Sequence, residues 1–549
     1  MNILAQPEDF IESLQRHFNE NNPDGNRLHL NWKRGKGENY SIEYAAGNIF
    51  LKGESIAAVI FGMSLIKTAA FSGHLAEYLG KHSSKLGTRA LWIKELDDKI
   101  KPLSKEKTAF LCQKILLLGY NTLIFEFPIE ELEECLTHLE KFIPTIDNYG
   151  LKIAIKIYHS PIAQPYPFNK EYKDYLKQSL QPIINHSSWI DYLFWEAHIY
   201  NYEAEKTLKG RNFLYQDLAK IEAQTLETLL PSPCRLIYSI PTKDILSAEK
   251  QSRWILAFSY ELSEKTLIAF SSLAGDPCFD YLPPHPLWEV LRREKNKSHA
   301  NFLPLLNTGL VGQGEGFWPI FSLDLNNRYL LRCDSTLFAG AISITAYLPK
   351  EESLLSCSLW TAAYTMLGEG QNSPLAETWF GAYCPDILKY KDHDRILGEM
   401  RQISIMIGYL STYPRDDKAN ASREEYRILS ESLLSRLRVL QASIDNQQTE
   451  NSKHLKLKDY FTFFLRDGRR LILRFLQQHQ ITMVNGLTDD DSQESFWTTT
   501  STAGSHGWNA GTKVFIREEP SKGEAGSIME KIYEEVVLFS SSAKIESPL

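Results

Sequence analysis

NTLIFEF (121–127) and KIAIKIYH (152–159) decide how this chain folds. Both are short runs in which nearly every residue is apolar, without the polar/apolar alternation of a half-buried strand. Strands of that kind are buried on both faces, as in a parallel sheet. Six further runs read the same way: RALWIKEL (89–96), DYLFWEAHIY (191–200), CRLIYSI (234–240), TLIAFSS (266–272), FLPLLNTG (302–309) and GAISITAYL (340–348). Segments of helical period, such as EKTAFLCQKILLLG (106–119), separate most of them. Eight strands spread over 87–350 match the roughly 250 residues of a (β/α)8 TIM barrel. An open, doubly wound sheet is the competing arrangement.

Outside this span the rhythm changes. Residues 1–86 read as an N-terminal α/β domain: a helix PEDFIESLQRHF (7–18), short strands, then a strongly apolar helix IAAVIFGMSLIKTAAF (56–71) with Gly62 at a close packing contact. Residues 351–549 read as a C-terminal, mainly helical domain with a long polar loop at 486–512. A chain of 549 residues is too long for one core, which agrees with three domains.

Composition narrows the partners. The net charge of −8, spread along the chain, argues against nucleic acid or an anionic membrane as the main partner. Seven well-separated cysteines without a CxxC pair predict buried free thiols in a reducing compartment. The first residues, MNILAQPEDF, have neither a basic start nor an apolar core, and no uncharged apolar run reaches membrane-spanning length. The expectation is a cytoplasmic protein whose oligomeric state is open. No metal-ligand spacing, nucleophile elbow or phosphate loop is present, so neither a metal nor any other cofactor is expected; VGQGEG (311–316) lacks the Lys-Ser/Thr a phosphate loop needs.

What remains is positional. In a (β/α)8 barrel the chemistry sits at the carboxyl ends of the strands. Reading off those ends gives Lys94 and Glu95, Glu126, His159, Glu196 with Trp195 beside it, His198, Tyr238 and Asn307, and the stiff loop AGDPCFDYLPPHPLW (274–288) adds Asp276, Asp280 and Tyr281. Several carboxylates around one mouth suit glycosidic cleavage, which needs an acid for the leaving oxygen and a base for water. Glu196 is the candidate general acid, with Asp280 or Asp276 as base. Lys94, Glu126, His159, Trp195, His198 and Tyr281 are the candidate substrate contacts. Each has a plainer reading: Glu126 and Glu196 as ion-pair partners of Lys94 or Lys156, the histidines as satisfied rim residues, Trp195 as barrel packing.

Several of these stretches resemble the α-glucuronidases that trim glucuronic acid from xylan side chains. LLLGYNTLIFEF (116–127) and DNYGLKIAIKIYHSP (147–161) are similar to that family's second and third barrel strands; AGDPCFDYLPPHPLW is similar to its loop after strand six. LLNTGLVGQ (305–313), FAGAISIT (338–345) and SLWTAAYTMLGEGQNSPLAETWF (358–380) resemble its strands seven and eight and the start of its helical domain. The resemblance implies an inverting glycosidase acting on a carbohydrate that carries a uronic acid. It implies a Glu general acid after strand four, and water-activating carboxylates after strands six and seven. Those columns fall near Ile199, on Cys278 and on Gly309, with Glu196, Glu203, Asp276 and Asp280 as near neighbours. A neutral thiol, with an ordinary pKa of about 8.5, is no carboxylate base, and glycine offers no side chain. Three expectations follow: a glycoside hydrolase with relocated acids, a degenerate barrel that binds a carbohydrate or small anion through a cation such as Lys94, Lys156 or Arg235, or a structural protein that keeps only the fold.

Overall fold

The computed structural model describes residues 6–383 with interruptions, the helix Asn420–Asp445, and isolated positions at 396–403 and 465–476; within the barrel the interruptions are 94–103, 159–169, 198–214, 241–251, 273–284, 294–300 and 310–329, with a few single residues. Lys94, His159, His198, Asp276, Cys278, Asp280, Tyr281 and the 486–512 loop lie outside the described residues.

Four short strands open the chain: β1 (Arg27–Trp32), β2 (Tyr40–Ala45), β3 (Asn48–Gly53) and β4 (Gly80–His82), in the order β1-β3-β2-β4. Helix α1 (Pro7–Asn21) buries Phe10, Ile11, Leu14 and Phe18 at helical spacing against this sheet and helix α2 (Ile56–Ser72). Helix α2 begins where the Ser55 side chain accepts from the Ala58 N–H at 3.1 Å and ends at Gly73 in the left-handed region. Almost every one of its side chains is buried, as expected of a helix that is apolar all round. It lies between the small sheet, the helix Lys105–Leu117 of the barrel and the helix Leu375–Tyr383. Gly62 is the contact point: a Cβ there would stand 2.4 Å from the Leu51 Cδ1 and 3.1 Å from the Tyr40 ring.

The eight apolar runs close into a parallel barrel. Its strands are β5 (Thr88–Ile93), β6 (Thr122–Pro128), β7 (Lys152–Tyr158), β8 (Tyr192–Glu196), β9 (Arg235–Ile240), β10 (Thr266–Ser271), β11 (Phe302–Gly309) and β12 (Gly340–Thr345). Closure is the β12–β5 pairing, in register from Gly340 beside Thr88 to Thr345 beside Ile93. Gly340 makes it possible, because a Cβ there would meet the Thr88 carbonyl oxygen at 1.8 Å.

A buried arginine ties the N-terminal sheet to the barrel wall. Arg89, on the outer face of β5, donates to Glu38 at 2.8 Å, to the Ser84 hydroxyl at 2.6 Å and to the Gly119 carbonyl at 2.8 Å, and its guanidinium lies 5.0 Å from the Phe61 ring centroid. Asn121 donates to the other Glu38 oxygen at 2.7 Å and accepts from the Arg89 backbone N–H at 2.9 Å. The Gly-Tyr-Asn turn before β6 is therefore the joint between the two units. The helix Leu354–Leu367 docks on the same side, where Tyr364 donates to the Phe61 carbonyl at 2.7 Å and the Leu359 carbonyl accepts from Tyr120 at 3.0 Å. Among the described residues, no helix is long and apolar enough to cross a membrane.

Candidate functional site

Alternation along each strand sorts barrel residues into a lumen face and a wall face. On β5 the lumen set is Thr88, Ala90 and Trp92; register carries it to Ile124 and Glu126 on β6, Ala154 and Lys156 on β7, and Tyr192, Phe194 and Glu196 on β8. Two contacts across the ring bear this out. At the amino end Thr88 Oγ1 and the Tyr192 hydroxyl are 3.3 Å apart. At the carboxyl end the Trp92 and Phe194 rings meet edge-on, centroids 5.8 Å apart.

Lys156 is the centre of the upper layer. Its side chain is only 4% exposed, and an ammonium cannot stand there without partners. Nζ lies 2.5 Å from Glu126 Oε1 and 3.3 Å from Glu196 Oε2. The Trp92 ring covers a further side, its centroid 4.5 Å from Nζ, and Phe194 stands at 5.8 Å. Burial pulls the ammonium towards its neutral form, but the charges of Glu126 and Glu196 outweigh it and hold its pKa above the ordinary lysine value. Glu126 is fixed from both sides, since its second oxygen accepts from Trp92 Nε1 at 3.1 Å. Glu196 differs: its side chain keeps 43% of its surface in solvent. The arrangement is one exposed carboxylate standing on a buried cation, which is clamped from below by a second carboxylate and an indole.

The sequence expectation thus divides. Glu126 and Glu196 come together at the mouth, through the Lys156 ion pairs that were the plainer reading of both. Trp195 is fully buried and lies beside Tyr238, on the wall face. Tyr238 in turn donates to the buried Glu222 of the helix Tyr215–Leu229 at 2.7 Å. Trp195 is therefore wall packing between sheet and helices and does not open on the lumen as a stacking platform. Trp92, absent from the expected set, supplies the indole instead. One sequence signal pointed to this cluster: a lysine inside the apolar run KIAIKIY, where lysine is rare without a partner.

No family model matches the chain, and no curated protein matches it. Among solved structures it is similar to a GH138 enzyme targeting pectin rhamnogalacturonan II, with 12% identity, 90% of this chain and 89% of that chain covered, and a TM-score of 0.52. The chain has a glycoside hydrolase-like fold. A GH20 exo-β-N-acetylglucosaminidase from Vibrio harveyi (9% identity, 72% and 73% covered, TM-score 0.41) and a GH20 β-N-acetylhexosaminidase from Streptomyces coelicolor A3(2) (10%, 68% and 89%, 0.42) are more distant.

Within this glycoside hydrolase-like barrel, two of the three cations considered for an anionic ligand are accounted for. Lys156 is spent on its two carboxylates. Arg235 starts β9, at the end of the barrel opposite the mouth, and donates to the Glu264 carbonyl at 2.8 Å. Lys94 follows β5 directly, beyond the described part. Among the described residues no set of His, Cys, Asp and Glu is grouped to hold a metal ion. Gly309 ends β11, the seventh barrel strand, so the described end of that strand carries no carboxylate.

Proposed function

We propose that this protein is a glycoside hydrolase relative that takes a carbohydrate at the carboxyl mouth of its barrel, with Glu196 as the carboxylate that meets the glycosidic bond. The observation that carries this reading is the half-exposed Glu196 at the end of the fourth barrel strand, held at 3.3 Å by a cation that is itself buried. Hydrolysis requires a second carboxylate. One group gives a proton to the leaving oxygen while the other takes one from the water that adds to the anomeric carbon, and in an inverting enzyme the two stand roughly 6.5–9.5 Å apart. Asp276 and Asp280, on the loop after strand six, are the candidates for that partner.

The finer reading is a glycoside bearing glucuronic acid. It depends on Lys94 as the cation for the sugar carboxylate, because Lys156 is committed and Arg235 sits at the far end of the barrel. A binding-only protein is the second reading. Gly309 favours it, since the resembled family carries a catalytic acid at the end of strand seven.

The test is a hydrolysis and binding screen against aryl glycosides, glucuronides and acidic pectic and xylan oligosaccharides, run with the wild type and a Glu196→Gln variant. Turnover that the variant abolishes supports the hydrolase. Saturable binding without turnover supports the second reading. Turnover unchanged in the variant, or no ligand at all, sinks the proposal.

A further inference from the structure

The N-terminal sheet has one face against helices and one in solvent, and the solvent face carries an aromatic ring at its centre. Along β3, Ile49 and Leu51 are fully buried, and strand alternation turns the half-buried Phe50 the other way. Helices α1 and α2 pack on the inner face, and α2 separates the sheet from the barrel. Register places His29 of β1 and Glu43 of β2 directly opposite Phe50 on the outer face, with Asn48 and Lys52 flanking it on its own strand. Bonds among these side chains hold them in place. Asn48 Nδ2 donates to the Ala46 carbonyl at 3.0 Å, which leaves its Oδ1 to accept from His29 Nε2, also at 3.0 Å. In the neutral ring, His29 Nδ1 is then left as an acceptor. The imidazole stacks on Phe50, with centroids 5.1 Å and planes 18° apart. On the other side Lys52 Nζ reaches both Glu43 oxygens, at 3.1 and 3.2 Å. Arg27 and Lys81 stand on the two edge strands of the same face. The outward residues of the four strands thus hold three cations and one acid, on a chain whose net charge is −8.

We propose that this outer face is a second carbohydrate site, separate from the barrel mouth, and that it takes an acidic oligosaccharide. The apolar C–H face of one pyranose ring lies on Phe50, and its hydroxyls meet His29, Asn48 and Glu43. Carboxylates of the neighbouring sugars meet Arg27 and Lys81, and this cationic bias selects an acidic chain over a neutral one. Four strands at about 4.8 Å spacing span roughly 14 Å, room for a short chain rather than a single sugar. The proposal takes only its ligand class from the reading of the barrel as carbohydrate-active, and it uses none of the residues at the mouth.

The test is isothermal titration calorimetry of the full chain with trigalacturonate, with neutral maltotriose and with a short DNA oligonucleotide. Wild type is compared with Phe50→Ala, with Arg27→Gln combined with Lys81→Gln, and with Glu196→Gln. Arg27 and Lys81 are exposed, so the charge variant keeps the fold even if Phe50→Ala does not. Trigalacturonate should bind the wild type, and each face variant should weaken that binding about tenfold or more. Glu196→Gln should leave it unchanged. No binding of trigalacturonate, binding indifferent to both face variants, or equal affinity for maltotriose or for DNA overturns the proposal. Binding lost only in Glu196→Gln puts the ligand in the barrel mouth, which supports the hydrolase reading and sinks this one. Binding lost only in the face variants, with no turnover in the hydrolysis screen, does the reverse.

Discussion

The two halves of the barrel mouth are built differently. On the β5–β8 arc the upper lumen layer is Trp92, Glu126, Lys156, Phe194 and Glu196, all bulky and three of them charged. Register continues that level onto the other arc as Ser239 on β9, Ala269 on β10 and Ile344 on β12, where no described residue of the layer is charged. A buried ammonium has to meet its partners within hydrogen-bond reach. Neighbouring parallel strands bring residues of one level side by side, so the charges gather on consecutive strands and do not spread round the ring. One arc thus fixes a carboxylate in place, and the other contributes small or aliphatic side chains.

The largest expected effect tests whether the charged arc does chemistry. If hydrolysis is found, Glu196→Gln should lower kcat/KM by about a hundredfold or more, the lower range for a positioned proton-transfer group, while the melting temperature hardly moves. A variant that keeps full activity would make the charged arc purely structural.

Next in size is stability. Removing one partner of a buried ion pair leaves the other uncompensated, at a cost of about 3–5 kcal/mol. Lys156→Met should approach that figure in denaturant unfolding, and adding Glu126→Gln should recover a large part of it. Ala269→Ser, at the corresponding level of the opposite arc, should cost clearly less, about 1–3 kcal/mol even if the hydroxyl stays unpaired. Equal losses on both arcs would erase the distinction between them.

A smaller effect sharpens the account of how the charged arc is locked. Trp92→Phe keeps an aromatic ring at this position but removes the pyrrole part of the indole, with the N–H that reaches Glu126. The loss should be about 1.5–3 kcal/mol, read from the same unfolding curves, since one hydrogen bond to a charged group disappears. A neutral outcome would mean that Lys156 alone orders Glu126.

The eight-strand ring was legible because each strand is a continuous apolar run, and burial on both faces leaves a chain little other choice. Glu126 and Glu196 could be named from strand ends alone. The choice between Trp92 and Trp195 could not. Both indoles sit in apolar strands, and only the register, Trp92 beside Ile124 and Trp195 beside Tyr238, assigns one to the lumen and the other to the wall. Lys156 was visible as a lysine out of place, but its hold on two carboxylates at once is a fact of three strands meeting. The eye needs the closed ring for that.

The uncharged arc carries a final test at its one described histidine. His285 packs behind β10, its ring edge-on to Phe270, and its Nδ1 accepts from the Leu287 N–H at 3.0 Å. Burial lowers its pKa to about 3, so the folded protein keeps this imidazole neutral, whereas the unfolded chain takes up a proton near the ordinary histidine value of about 6.5. Between those two values the unfolded state binds more protons. The stability due to the neutral ring is therefore complete above about pH 6.5 and is lost progressively as pH falls towards 3. From pH 7 to pH 5.5 the loss assigned to this residue should be about 1 kcal/mol. His285→Asn retains an acceptor for the Leu287 N–H and cannot titrate, so the pH dependence of its unfolding free energy should be shallower than that of the wild type by that amount. Equal slopes would mean that His285 gains its proton in the folded state, and that this side of the barrel carries charge after all.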